Sequence, residues 1–210
     1  MDSYQITFAA WDKVATQYQD TFMNMDLYND TYDIFCEKIA NHQARIFEIG
    51  CGPGNITRYL LSKRPEFHID AIDISPSMIQ LAKENNPTAR FTLMDCREID
   101  LVTEKYEAII CGFCLPYLSK EDCEKWVHDC AQILNKSGVL YFSTIEGKYE
   151  QSGYETGSTG DKMYVYYHEA IFLKECLEKN HFCEIEWTRI HYLKKDGSKS
   201  VHIICMARKK

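Results

Sequence analysis

Strand-like and helix-like segments alternate through most of this chain, which predicts an α/β fold: a doubly wound, mostly parallel sheet with helices on both faces. Three observations carry the prediction. Short apolar runs recur at residues 45–49, 68–73, 90–94, 106–111 and 139–145. Between them lie stretches whose apolar residues repeat at helical spacing. The distinctive residues Gly50, Asp73, Asp95 and Cys111-Gly112 each end or follow a strand, the edge where such sheets bind ligands.

Each element has a local cause. Residues 1–43 place Trp11, Val14, Tyr18, Phe22, Ile34, Phe35 and Ile39 in a helical pattern, the apolar face of a helical cap on the sheet. Arg45 to Ile49 is the first strand, and Ile56, Tyr59 and Leu60 begin a helix that Pro65 stops. His68 to Asp73 is the second strand. Ser75 then caps a helix with Pro76 at its first position and Met78, Leu81 and Ala82 on one face. The third and fourth strands follow at 90–94 and 106–111. Ser119-x-x-Asp122 resembles a capping box opening a helix with apolar positions 123, 126, 127, 130, 133 and 134. Asn135-Lys136-Ser137-Gly138 is expected to end that helix, with the fifth strand from Val139 to Ile145. Residues 146–167 are the longest irregular stretch, rich in glycine and tyrosine, and a loop of that length inside a domain suggests a lid over a substrate. Residues 183–193 and 200–207 are β-rich and flank the polar turn Lys194 to Lys199, the pattern of an antiparallel hairpin.

Bulk properties narrow the class. At 210 residues, 45% hydrophobic, the chain can bury one sizeable core, read as a single domain: cap 1–43, core 44–145, lid 146–168, and C-terminal helix with hairpin 169–210. No apolar run is long enough to span a bilayer, and Met1-Asp2-Ser3-Tyr4-Gln5 lacks the features of an export signal, which predicts a cytoplasmic protein. A formal charge of −7, with Arg208-Lys209-Lys210 the only basic cluster, disfavours a nucleic-acid partner. The ten cysteines fall mostly in apolar patterns, so reduced thiols are expected. Cys111-x-x-Cys114 has no second close pair to complete a metal site, and none is expected.

The segment Phe47-Glu48-Ile49-Gly50-Cys51-Gly52-Pro53-Gly54-Asn55 leaves room for a ligand against its backbone, and Asp73 follows about 20 residues on, placed to accept from two ribose hydroxyls. A dinucleotide fingerprint would need glycine where Asn55 stands. The G-x-G-x-G spacing, with Glu48 two residues upstream, instead resembles motif I of the class I S-adenosylmethionine-dependent methyltransferases. The resemblance covers residues 44–208 and is to the small-molecule members, such as those of ubiquinone and menaquinone biosynthesis. It implies a seven-stranded, Rossmann-like sheet whose last strand is inserted antiparallel beside the fifth. It also implies S-adenosylmethionine as cofactor, S-adenosylhomocysteine as product and a small-molecule acceptor.

By the same resemblance, Gly50, Cys51, Gly52, Gly54 and Asn55 form the cofactor turn and Glu48 faces the methionine moiety. Asp73 holds the ribose, Ile74 and Met78 flank the adenine, and Asp95 with Cys96 reads its edge, with Cys111 at the fourth loop. Tyr18, in Val14-Ala15-Thr16-Gln17-Tyr18, looks like the Ala-x-x-Tyr element whose hydroxyl reaches the cofactor carboxylate. Each residue also has a plainer reading: a tight turn for the glycines, a helix cap for Asp73, a solvated loop acid for Asp95, core for Met78. Tyr117, Tyr154 and His168 are candidates for a general base, which transfer to an amine would not need, and His168 can equally cap a helix. Two rivals stand beside methyl transfer. One is a protein that binds the cofactor without transferring it. The other, a nicotinamide-dependent oxidoreductase, is disfavoured by the third glycine and the terminal hairpin. Cys111-Gly112-Phe113-Cys114, in place of Asn/Asp-Pro-Pro-Tyr/Phe, speaks against nucleic-acid amino-methylation.

Overall fold

The computed structural model describes residues 3–157, 160–193 and 197–210. Three helices come first: α1 (Ser3–Lys13), α2 (Ala15–Phe22) and α3 (Asn29–Glu37). The alternating core follows as β1 (Arg45–Ile49), α4 (Asn55–Lys63), β2 (His68–Asp73), α5 (Pro76–Asn85), β3 (Arg90–Leu93), β4 (Tyr106–Gly112), α6 (Lys120–Ile133) and β5 (Leu134–Ile145). A small hairpin, β6 (Gly153–Thr156) and β7 (Lys162–Val165), precedes α7 (Ala170–Lys179), β8 (Phe182–Leu193) and β9 (Lys199–Lys209).

Among the described residues seven strands form one sheet in the order β3-β2-β1-β4-β5-β9-β8. The first five pair in parallel, and β9 runs antiparallel to both β5 and β8, the arrangement expected of the terminal hairpin. Three residues of its turn, Lys194, Lys195 and Asp196, lie outside the described residues.

Alternation along the strands divides the core into two layers. Phe47, Ile49, Leu140 and Phe142 face Trp126 and Val127 of α6 and Leu173 and Leu177 of α7. Ile46, Ile110, Val139 and Tyr141 face Phe35 of α3, Leu60 of α4 and Ile79 of α5. The caps form as expected: Ser75 Oγ accepts from Met78 N at 3.0 Å, and Ser119 Oγ from Asp122 N at 3.1 Å.

Two elements differ from expectation. Strand β5 begins at Leu134, which pairs with Tyr106, before the ladder resumes at Val139 opposite Ala108. Residues 135–138 are thus an excursion within the strand, with Ser137 at a φ of 62°. The stretch after β5 is also less irregular than expected. It holds a 3₁₀ turn, Tyr149–Gln151, and the hairpin, with Tyr154 opposite Tyr164.

Candidate active site

Strand β1 ends in a turn with three left-handed backbone positions, each held by glycine. Gly50, Gly52 and Gly54 have φ values of 70°, 53° and 81°. A Cβ on Gly50 would stand 2.6 Å from Cys114 Sγ, and one on Gly54 2.3 Å from Asn86 Nδ2. Gly52 is different: its Cβ would meet only Tyr18 Cε1 at 3.6 Å and Asn55 Oδ1 at 3.9 Å, so its open face lies under the Tyr18 ring. Gly50 and Cys51 donate their N–H groups to Ile72 O at 2.8 and 2.9 Å, which fixes the turn against β2.

Asp73 joins this turn to α5. Its Oδ2 accepts from Gly52 N at 2.8 Å and its Oδ1 from Ser75 N at 2.9 Å. Each oxygen keeps a further lone pair, so the carboxylate can both cap and accept from a ligand. Burial raises its pKa. Asp12 of α1 reaches the same corner, accepting from Ser75 Oγ at 2.6 Å and Ser77 N at 2.9 Å.

Glu48 is fully buried on the α4 side of the sheet. Thr57 donates to its Oε2, whereas its Oε1 has no partner. Burial pushes the Glu48 carboxyl up to about 8. A buried, half-satisfied carboxyl is costly as structure and useful for binding a cation.

The remaining predicted residues divide. Ile74 and Cys96 are half-buried beside the turn's neighbours, whereas the side chains of Cys51, Met78 and Cys111 are buried at 2%, 3% and 0% exposure. Asp95 is held by Arg97, whose backbone N–H reaches Oδ1 at 2.9 Å and whose Nε reaches Oδ2 at 2.9 Å. The Arg97 guanidinium lies over Tyr4 at 4.1 Å, and Tyr4 Oη donates to Asp122. Arg97 thus straps α1 over the end of β3, a role no local motif signals.

Tyr18 and Tyr117 are brought together through Trp11, whose ring meets them edge-on at 5.4 and 5.6 Å. Tyr154 stands apart, 52% exposed on β6. His168 is fully buried, and Glu169, not His168, takes the N-cap position of α7, without a side-chain hydrogen bond to the helix. His168 Nε2 lies 3.1 Å from the carbonyls of both Leu115 and Leu118, so that nitrogen carries the hydrogen, and burial lowers its pKa. The ring ties the loop after β4 to the start of α7.

Sequence reasoning missed a second group. Tyr28 Oη lies 2.7 Å from His202 Nδ1, with Phe113 and Tyr192 packed around them. The one local signal is Phe113 itself, directly after Gly112 at the end of β4.

Residues 46–138, which include the β1 turn and Asp73, match the family model described as a methyltransferase domain. This segment belongs to the class I S-adenosylmethionine-dependent methyltransferase family. A malonyl-[acyl-carrier protein] O-methyltransferase of Bacillus anthracis is 30% identical over 157 residues, 72% of this chain and 57% of the relative. One from Acetivibrio thermocellus is 36% identical over 102 residues, 48% of this chain and 35% of the relative. The chain therefore spans about half the length, or less, of these curated relatives. Magnesium protoporphyrin IX methyltransferase from Synechocystis PCC 6803, solved with S-adenosylhomocysteine, superposes with a TM-score of 0.74 over 100% of both chains at 15% identity, a likeness of fold. Among the described residues no helix is long and apolar enough to cross a membrane, and no cluster of metal-ligating side chains occurs.

Proposed function

We propose that this protein binds S-adenosylmethionine at the β1 turn and transfers its methyl group to a small-molecule acceptor in the cytoplasm, releasing S-adenosylhomocysteine. The observation that carries the reading is the unpartnered, buried Oε1 of Glu48 beneath three positive-φ glycines, beside a carboxylate with free lone pairs at Asp73. The residues fit the cofactor: a carboxyl for its amino group, an open backbone face at Gly52, an acceptor for ribose hydroxyls at Asp73, and Asp95 with the Cys96 N–H for the adenine edge. When bound, the cofactor supplies a methyl group already activated on a sulfonium sulfur.

The chain's own part is to bind, orient and exclude water. Asp95 would exchange part of its pairing with Arg97 for the adenine amine, and Tyr18 would close over Gly52. Residues 1–43 and 146–168 would cover the acceptor, while 169–210 complete the sheet. Held close and in line, an acceptor gains on the order of 7–11 kcal/mol from positioning in favourable cases. The names of the curated relatives, O-methyltransferases, support transfer over binding alone.

Isothermal titration with S-adenosylmethionine and with NAD tests the cofactor, and release of S-adenosylhomocysteine from a pool of small metabolites tests transfer. The sulfonium nucleoside should bind and NAD should not. Binding of NAD alone would overturn the reading.

A further inference from the structure

We infer that Tyr28 and His202 form a proton-accepting pair beside the cofactor turn, and that the acceptor is a planar compound bearing an acidic hydroxyl, a phenol or an enol. The inference rests on the methyl-transfer reading above.

The pair is built from distant parts of the chain. Tyr28 directly precedes α3, and His202 sits early in β9, opposite Ile145 at the end of β5. Tyr28 Oη and His202 Nδ1 are 2.7 Å apart, and His202 Nε2 lies 3.0 Å from Ser200 Oγ. Both residues are buried, but the rings beside them are not fully so. Tyr192 stacks on His202 at 4.9 Å and 15°, and Phe113 meets it edge-on at 4.8 Å. Phe113 and Tyr192 are partly exposed, so the pair lies under a thin wall of rings.

Phe113 ties that wall to the cofactor turn. On one side of it, a Cβ on Gly112 would stand 2.5 Å from Ile56 Cδ1 in α4; on the other, Cys114 Sγ occupies the space a Cβ on Gly50 would need. Held between these contacts, Phe113 takes a φ of 57°, a costly conformation for an aromatic residue, and its N–H donates to Ser143 Oγ at 3.1 Å. Its ring is thereby directed at Tyr28, 5.3 Å away. Tyr18, over Gly52, is the second tie. It lies near enough to Tyr192 for the two to interact electrostatically, as Tyr28 does with both Tyr18 and Tyr192.

The chemistry follows from these partners. Burial holds the Tyr28 hydroxyl well above the ordinary tyrosine range, so it remains a phenol that donates to His202 Nδ1, with Nε2–H donating to Ser200 Oγ. The free lone pair on Tyr28 Oη can then accept a hydrogen bond from an acceptor hydroxyl. As the acceptor oxygen bonds to the methyl carbon, the carbon–sulfur bond breaks and its electron pair stays on sulfur. The acceptor's proton passes to Tyr28 Oη while the Tyr28 proton passes to Nδ1. The positive charge lost from sulfur reappears on the imidazolium. Tyr28 is the catalytic residue, and His202, acting through it, is a positioning residue.

The test uses the protein loaded with S-adenosylhomocysteine and 4-nitrophenol, a planar phenol whose ionisation is read by absorbance. At fixed pH the phenolate-to-phenol ratio should rise about tenfold on binding. Tyr28→Phe and His202→Asn should abolish the rise while changing S-adenosylhomocysteine affinity by less than about twofold. Asn can still accept from Tyr28 but cannot take a proton, so it would rescue a merely structural histidine. Nitrogen NMR of His202 in the wild type needs no variant: with S-adenosylhomocysteine alone Nδ1 should be unprotonated, and it should gain a proton when 4-nitrophenol binds. An Nδ1 already protonated before the phenol is added, no rise on binding, or an undiminished rise in Tyr28→Phe or His202→Asn overturns the pair. Failure of the wild type to bind S-adenosylhomocysteine overturns the underlying reading instead.

Discussion

At Glu48 a carboxyl group is buried with one donor, Thr57, and one oxygen without any, so its folded-state pKa stands near 8 against an ordinary 4.5. Well below the ordinary value both folded and unfolded chains hold the proton, and the group is neutral to stability. As pH rises through 4.5 toward about 8, the unfolded chain releases the proton while the folded one keeps it, so stability falls across that window. Glu48→Gln removes the titration. Its melting temperature should therefore exceed that of the wild type by more at about pH 8 than at about pH 5. An equal difference at both would mean that Glu48 is ionised in the free protein. An ammonium group arriving at Oε1 would instead favour the carboxylate. Titrations of S-adenosylmethionine near neutral pH, in two buffers of different ionisation enthalpy, should thus reveal proton release that Glu48→Gln lacks. Asp73→Asn keeps a side-chain acceptor but loses the charge at the proposed ribose site. It should weaken cofactor binding by about 1.5–3 kcal/mol in isothermal titration, and unchanged affinity would remove Asp73 from the site.

The β1–α4 turn shows how one element imposes its sequence. Gly54 caps α4 at a φ of 81°, and a Cβ there would meet Asn86 Nδ2 at 2.3 Å, the atom that donates to Gly54 O at 3.0 Å. Gly54→Ala should cost about 1–2 kcal/mol from the left-handed backbone and about 1 kcal/mol more from the displaced hydrogen bond, read from urea unfolding. Gly153→Ala, with nothing within 4 Å, is the control and should stay within about 0.5 kcal/mol of the wild type. The turn was legible because its glycines, strand and helix are local and periodic. Other elements were not. Leu134 continues the helical apolar pattern yet pairs with Tyr106 in the sheet, because a buried residue satisfies either period. The β6–β7 hairpin is held by Tyr164 N to Thr7 Oγ1 at 2.9 Å and Tyr166 N to Pro116 O at 2.7 Å, partners its own sequence cannot announce. The same holds for Asp95, whose partner Arg97 looks like an ordinary loop residue, and for Tyr28 and His202, which sit 174 positions apart.

Across the whole molecule, α1, α2 and the β6–β7 hairpin pack together as one body beside the β1 turn, whereas α3 lies on the face of the sheet. Lys13 pairs with Asp161 at 2.7 Å, Tyr4 packs on Tyr166 at 6.4 Å, and Trp11 joins Tyr18 to Tyr117. The same body touches the β1 turn and the α5 cap, through Tyr18 above Gly52 and through Asp12 on Ser75. Ligand binding at the turn should therefore tighten the hairpin without direct contact, because α1 and the hairpin move together. Mostly side-chain contacts hold this body to the sheet, whereas β1 to β5 share continuous ladders, so opening should occur in the former and not the latter. Hydrogen exchange with and without S-adenosylhomocysteine distinguishes the cases. Protection should rise at the Gly50 turn, around Tyr18, and in residues 153–157 and 160–165. It should stay unchanged in residues 182–189 of β8. If the turn is protected while Tyr18 and the hairpin exchange at the same rate in both states, the two elements are a fixed wall, and the acceptor must enter by another face.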